Sequence, residues 1–258
     1  MTNESAALDT SEDAVLGGRL RLRQPRAGHR VGHDAILLAA ATAAQASEHA
    51  VELGAGVGAA GLALAVRVPG LKVTLVEIDP ALCALAAENA RRNRLDDRVS
   101  ALALDVASPE AFAAAGLQPG SADRVLMNPP FNDPARQNVS PDAGRRLAHA
   151  GSADTLVSWV GAAARLLAPK GVLTLIWRAD GLAEVLAALP RDFGGIGLLP
   201  IHPQANAPAI RILLRAAKAS RAPLTLYPGL ELNDEQGRPS RAAETVLRDG
   251  EVLALAKI

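Results

Sequence analysis

Short apolar runs alternate along the chain with longer stretches whose apolar residues recur at helical spacing. Residues 49–53, 71–76, 99–104, 123–127 and 171–177 read as buried strands, and 57–67, 80–93 and 153–168 as the helices between them. The second of these helices opens on Pro80, which suits a first helical turn. A βαβ alternation of this kind predicts a doubly wound α/β domain, with a mostly parallel sheet covered by helices on both faces. Residues 181–189 read as a further helix. After it, 194–201, 209–217 and 224–227 read as strands that complete the sheet with antiparallel pairs across proline-rich loops.

The start of the chain has a different rhythm. Residues 1–14 read as a flexible acidic tail carrying Glu4, Asp9, Glu12 and Asp13, with neither the basic nor the apolar region of a secretion signal. Val15-Leu-Gly-Gly-Arg-Leu-Arg-Leu-Arg-Gln24 alternates apolar and basic residues around a Gly-Gly pair, as a hairpin or edge strand does. A helix follows from Asp34, which is placed to cap it. Residues 15–48 thus form a small N-terminal extension and possible substrate arm, and residues 49–258 form the main domain.

Composition narrows the function. Of the 258 residues, 49% are hydrophobic and 21% charged, which excludes a disordered chain. Lys plus Arg and Asp plus Glu are both 27, so no net charge draws the protein toward nucleic acid, and any such partner must meet a local patch. One cysteine, Cys83, allows no internal disulfide and fits a reducing, cytoplasmic setting; it reads as a small buried side chain. The five histidines lack metal spacing, so no metal site is expected. No apolar stretch is long enough for a membrane span. Trp159 and Trp177 read as core.

Two motifs carry candidate chemistry. Val51-Glu-Leu-Gly-Ala-Gly-Val-Gly-Ala-Ala-Gly61 runs from a strand through a glycine turn into a helix. Gly54, Gly56 and Gly58 permit a tight turn and close approach of a ligand, and the helix N-terminus offers N–H groups to its negative end. Glu77 closes the second strand, where an acid can accept both hydroxyls of a ribose. Asp105 closes the third, suited to an adenine amino group. Glu52, Ile78 and Val106 accompany them as cofactor-lining positions. A plain turn explains the glycines alone but not this ordered trio of strand-end groups. The spacing also departs from the dinucleotide fingerprint, which speaks against an oxidoreductase; a binding module without catalysis is the remaining alternative.

The second motif is Leu126-Met-Asn-Pro-Pro-Phe131, ending the fourth strand. Asn128 and the Pro129 carbonyl offer two acceptors to a planar NH₂, Pro129 and Pro130 stiffen the backbone, and Phe131 offers a stacking face. A proline-rich strand exit is the plainer reading. For a nucleic-acid partner the chain presents Arg19, Arg21, Arg23, Arg26 and Arg30 within twelve residues, and Arg145 and Arg146 beside His149 after the second motif. An edge strand guarded by charge is the plainer reading of the first group.

Residues 28–177 resemble the class I S-adenosylmethionine-dependent methyltransferases, with the glycine loop, Glu77, Asp105 and Asn-Pro-Pro-Phe in that family's order. The last motif is similar to that of members methylating amino groups on planar conjugated carbons. Gly28-His-Arg-Val-Gly-His-Asp-Ala-Ile-Leu-Leu38 and the C-terminal strands are similar to those of bacterial tRNA adenine-N6 methyltransferases acting on valine tRNA. The resemblance implies a Rossmann-like seven-stranded sheet, S-adenosylmethionine as cofactor, methyl transfer to adenine N6 of tRNA, and a monomer or weak homodimer. Guanine N2 of rRNA and a protein glutamine N5 are the alternative acceptors. It also implies that Asp34 reaches the methionine end of the cofactor. His33 stands where relatives often have Thr, and Phe131 where they have Tyr.

Overall fold

The computed structural model describes residues 8–27, 30–130 and 153–257. Its central sheet is built from β3 (His49–Leu53), β4 (Lys72–Glu77), β5 (Val99–Ala103), β6 (Ala122–Met127), β7 (Leu167–Arg178), β8 (Phe193–Gln204) and β9 (Arg211–Lys218). They lie in the order β5-β4-β3-β6-β7-β9-β8. The first five are parallel, and β9 runs antiparallel to both β7 and β8. Two short strands, β10 (Thr225–Leu226) and β11 (Leu230–Asn233), add to the free edge of β8. The sheet therefore has nine strands rather than the expected seven. The strand read at 224–227 is β10, but both it and β11 pair with β8 in parallel rather than antiparallel, and β11, four residues long, is too short for an alternating pattern to show.

Helices α1 (His33–Ala41), α2 (Ala59–Arg67), α3 (Pro80–Arg92) and α7 (Arg241–Leu247) pack on one face, and α4 (Pro109–Ala114), α5 (Ala153–Leu166) and α6 (Leu182–Ala188) on the other. Side chains of a strand alternate between faces. Ala50, Val73, Leu75, Leu126, Ile176 and Leu213 accordingly join the α1 and α2 side. Val51, Leu53, Val125, Met127, Leu175 and Leu214 join the α5 side. Helix α3 begins where Asp79 accepts from the N–H groups of Ala81 and Leu82, with Pro80 in its first turn. Helices α4 and α7, absent from the sequence reading, are single short segments capped by Ser108 and Ser240.

The acidic N-terminal segment is not a tail throughout. Thr10–Val15 forms β1, paired antiparallel with β2 (Leu20–Pro25) through a turn at Leu16–Gly18. Its acids are spent on the following arginines: Glu12 pairs with Arg21 and with Arg92, Asp13 with Arg30, and Asp9 with Arg26. Leu20 and Leu22 are fully buried in the α1 and α2 core, so one face of the hairpin belongs to the domain. The outer edge of β2 is closed by side chains of α3. Asn93 Oδ1 accepts from Arg21 N–H at 3.0 Å and its amide donates to Arg21 O at 2.7 Å. Asn89, one turn earlier, does the same for Arg23 at 2.7 and 3.0 Å. Asp34 is not the cap of α1: Gly32 holds that position and Asp34 lies in the first turn.

Candidate active site

The crevice lies along the carboxyl ends of β5, β4, β3 and β6. Chain segments leaving β3 turn at once into the glycine loop. Gly54 (φ 69°) and Gly58 (φ 86°) occupy left-handed backbone that other residues adopt with strain. Each is also crowded. A Cβ on Gly54 would lie 2.3 Å from Cη2 of Trp159, on α5, and one on Gly58 would lie 2.8 Å from Leu75 Cδ1. A Cβ on Gly56 would meet no atom within 4 Å, which makes Gly56 the open side of the loop.

Three acidic side chains fasten this region to backbone. Glu52, buried on β3, accepts at Oε2 from Gly61 N–H at 2.7 Å, inside the first turn of α2. Burial pushes its carboxyl up to about 8; the charge of Glu77 adds to the rise and the Gly61 bond opposes it. Glu77 accepts from Gly56 N–H at 2.7 Å and from Asp79 N–H at 2.9 Å. A carboxylate has about four acceptor positions, so two remain for ribose hydroxyls. Asp105 is exposed and takes Ala107 N–H at 2.8 Å. Ile78 is 47% exposed on the lip between them, an apolar face for a planar base. The Val106 side chain is buried in the cluster with Phe112.

On the other side, Met127 pairs with Leu53 in the parallel register, so Asn128 leaves β6 beside Gly54 as it leaves β3. Asn128 Oδ1 is buried and has no hydrogen-bond partner among the described residues. A buried acceptor left unmade costs about 1–3 kcal/mol, so the orphaned oxygen marks a place where a donor belongs. Pro129 is buried and Pro130 half-buried behind it. Phe131, Arg145, Arg146 and His149 lie outside the described residues.

Asp34, expected near the methionine end, accepts from Arg211 Nε at 2.9 Å. The N-terminal arginines are engaged within the protein. Arg21 and Arg30 pair with acids of β1, Arg26 pairs with Asp9 just before that strand, Arg23 pairs with Glu88 at 2.8 Å, and Arg19 donates to the carbonyls of Leu16 and Arg248. His49 is bound between Ser121 O and Thr74 Oγ1, and no group of metal-binding side chains exists among the described residues. Cys83 is buried. Burial and the nearby charge of Glu77 raise its thiol, which suits a packing role.

Sequence reasoning passed over two residues that the fold brings here. Trp159 packs against the α5-side core as expected, and the half-buried ring also lies against Gly54, so one side chain serves both core and crevice wall. Arg211 sits between two isoleucines in a strand recognised only by its apolar residues. A group with the shape of S-adenosylmethionine fits these features: an open Gly56, spare acceptor positions on Glu77, an exposed Ile78 and an unmatched Asn128 oxygen.

A family model described as methyltransferase small domain matches residues 28–200. Over 160 residues the chain is 31% identical to the tRNA1(Val) (adenine(37)-N6)-methyltransferase of Porphyromonas gingivalis, covering 60% of this chain and 61% of that protein. A protein of the same name from Trichodesmium erythraeum is 30% identical over 207 residues, covering 76% and 81%. The chain thus spans about three fifths of the first relative and four fifths of the second. Among solved structures, a predicted O-methyltransferase from Agrobacterium tumefaciens superposes with a TM-score of 0.69 at 28% identity, covering 85% of this chain and 97% of that one.

Proposed function

The chain belongs to the methyltransferase small domain family, and from that premise we propose that it is an S-adenosylmethionine-dependent N-methyltransferase whose acceptor is adenine N6 in tRNA. The observation that carries the reading is the buried, unmatched Asn128 Oδ1 beside the glycine loop. When bound, the cofactor supplies an electrophilic methyl on a sulfonium. Gly54, Gly56 and Gly58 shape the pocket for its methionine end, Glu77 holds the ribose, and Ile78 and Asp105 hold the adenine.

Asn128 Oδ1 and the Pro129 carbonyl accept the two protons of the acceptor's exocyclic amine, turning its lone pair toward the methyl. Held in this way, the amine would present its lone pair to the methyl that the bound cofactor would supply, and its surplus proton would leave to water. Positive charge disperses in this step, so position matters more than acid or base. Phe131 completes the clamp on the base in this reading.

The adenine assignment rests on similarity to relatives of that name. Guanine N2 or a glutamine N5 would present the same planar NH₂. The reading puts the protein in the cytoplasm with its RNA, as a monomer or weak homodimer, and no helix among the described residues is long and apolar enough to cross a membrane. The N-terminal arginines serve the hairpin in this reading, and RNA contacts lie nearer Asn128. The test is incubation with labelled S-adenosylmethionine and total RNA from a strain lacking the gene, followed by nucleoside mass spectrometry. New N6-methyladenosine that disappears with Asn128→Ala supports the assignment. Label in a protein band and none in RNA overturns it in favour of glutamine.

A further inference from the structure

A half-buried indole borders the gap between the two halves of the crevice. Trp159 belongs to α5, whose Leu156, Val160 and Ala163 are fully enclosed in the core with Leu53 and Met127. Trp159 packs against that core without being enclosed by it. Its six-membered ring ends at Gly54: Cη2, Cζ3 and Cζ2 lie 2.3, 2.8 and 3.5 Å from where a Cβ on that glycine would stand. The indole thus fills the place that a side chain of the first residue beyond β3 would take. Leu53 and Met127 are paired in the parallel register, so Gly54 and Asn128 leave neighbouring strands side by side. The ring therefore stands where the glycine loop and the unmatched Asn128 oxygen come together.

The second indole shows that this exposure is particular to the crevice. Trp177, in the same core, is only 3% exposed. The face of an indole is the negative end of its quadrupole, so it attracts a cation and does little for a neutral group. A sulfonium carries its charge with no N–H or O–H to donate, which makes a π face a suitable means of recognising it. The methyl must cross between the methionine end at the glycine loop and the amine at Asn128, and Trp159 borders that gap.

We infer that Trp159 is a specificity-determining residue for the cofactor: its indole binds the sulfonium of S-adenosylmethionine by a cation–π contact and so separates it from uncharged S-adenosylhomocysteine. This rests on the methyltransferase reading above and deepens it, because it gives the pocket a means of preferring fresh cofactor to spent. Once the methyl has gone, the sulfur is neutral, the contact is lost and the by-product leaves more readily.

The experiment measures by calorimetry the affinities of the full chain for S-adenosylmethionine and S-adenosylhomocysteine, in wild type, Trp159→Phe and Trp159→Leu. The two ligands differ only in the methyl and its charge. A loosened glycine loop weakens both alike, so the ratio of the two affinities is insensitive to it. Leucine keeps an apolar contact for the methyl, so a loss of preference in Trp159→Leu belongs to the π face. The ratio should fall about five- to thirtyfold in Trp159→Leu, equivalent to about 1–2 kcal/mol, and by less in Trp159→Phe, which keeps a weaker face. Indole emission gives a second readout: S-adenosylmethionine should shift it in wild type and leave it unchanged in Trp159→Phe, where Trp177 alone remains. A wild-type ratio in Trp159→Leu, with both affinities equally weakened, means that the ring only props the loop and overturns this inference alone. So does a wild-type emission that ignores bound cofactor. A wild type that binds neither ligand overturns the methyltransferase reading as well. Should Trp159→Leu not fold, Trp159→Phe decides, because a wild-type ratio in that variant contradicts a contact graded by the π face.

Discussion

The two sides of the crevice are held in opposite ways. On the cofactor side, every acidic group is tied to backbone nearby: Glu52 to Gly61, Glu77 to Gly56 and Asp79, Asp105 to Ala107. On the acceptor side, Asn128 Oδ1 has no partner among the described residues, and Asp34 is held by Arg211 from 177 positions away. The first side is a preformed mould whose polar groups are satisfied before any ligand arrives. The second keeps its recognition atom unsatisfied and relies on contacts between distant elements. Methyl transfer needs both, a fixed cofactor and an acceptor site whose strongest bonds form only with the right amine.

The largest way to break this contrast is to change the charge state beneath the mould. The Glu52 carboxyl is raised from 4.5 to about 8, so the folded protein holds that proton more tightly than the unfolded chain. Its stability contribution is complete below pH 4.5 and is lost as pH rises through about 8. Unfolding free energies from denaturant titrations between pH 5 and 9 should fall by an amount on the order of 4 kcal/mol. In Glu52→Gln, which keeps an acceptor for Gly61, most of that fall should vanish. A wild-type midpoint flat across this range would mean that Glu52 is not held protonated.

Next in size is the acceptor side. Asn128→Ala should slow methylation roughly a hundredfold or more, about 3 kcal/mol of barrier if it behaves like a lost oxyanion-hole donor. Cofactor affinity by calorimetry should stay unchanged, which separates the two sides directly. On the cofactor side, Gly54→Ala meets both a left-handed backbone and the Trp159 ring, for a combined loss of roughly 2–3 kcal/mol. Adding Trp159→Ala should relieve the collision and leave the backbone part, seen as coupling in a double-mutant cycle. Asp79→Ala removes the α3 cap and should lower stability by about 1 kcal/mol. Smallest of all, Arg21→Gln should alter stability by less than about 1 kcal/mol, as exposed pairs do. It should also leave tRNA affinity within about twofold.

The same division explains what the sequence discloses. The glycine loop, Glu77 and Asp105 follow their strands directly, so their position in the fold is given by local order, and the parallel core from β3 to β7 reads off the apolar runs. The Asp34 and Arg211 bond depends on where β9 meets α1, and the resting place of Trp159 depends on how α5 crosses the loop. No periodicity encodes either. The arginine row shows the same limit: in sequence it is a line of charge, while the acids that pair with it, Asp9, Glu12, Asp13 and Glu88, are found only in the fold. Asp34 looks like a helix cap because caps are recognised by residue type. Its true partner lies on a strand far along the chain.

The asparagines that close β2 bear on the order in which the molecule assembles. Asn89 and Asn93, one turn apart on α3, act as a surrogate third strand for the N-terminal hairpin, yet they lie 66 and 72 positions beyond the residues they bond. The hairpin therefore cannot gain its outer bonds until α3 has formed and docked, so its edge stays unprotected early in folding, however soon β1 and β2 meet. Asn89 also donates to Val57 O in the glycine loop. Deuterium uptake at the Arg21 and Arg23 amides should thus report the opening of α3 rather than of the hairpin, a local clock for the moment the cofactor mould closes.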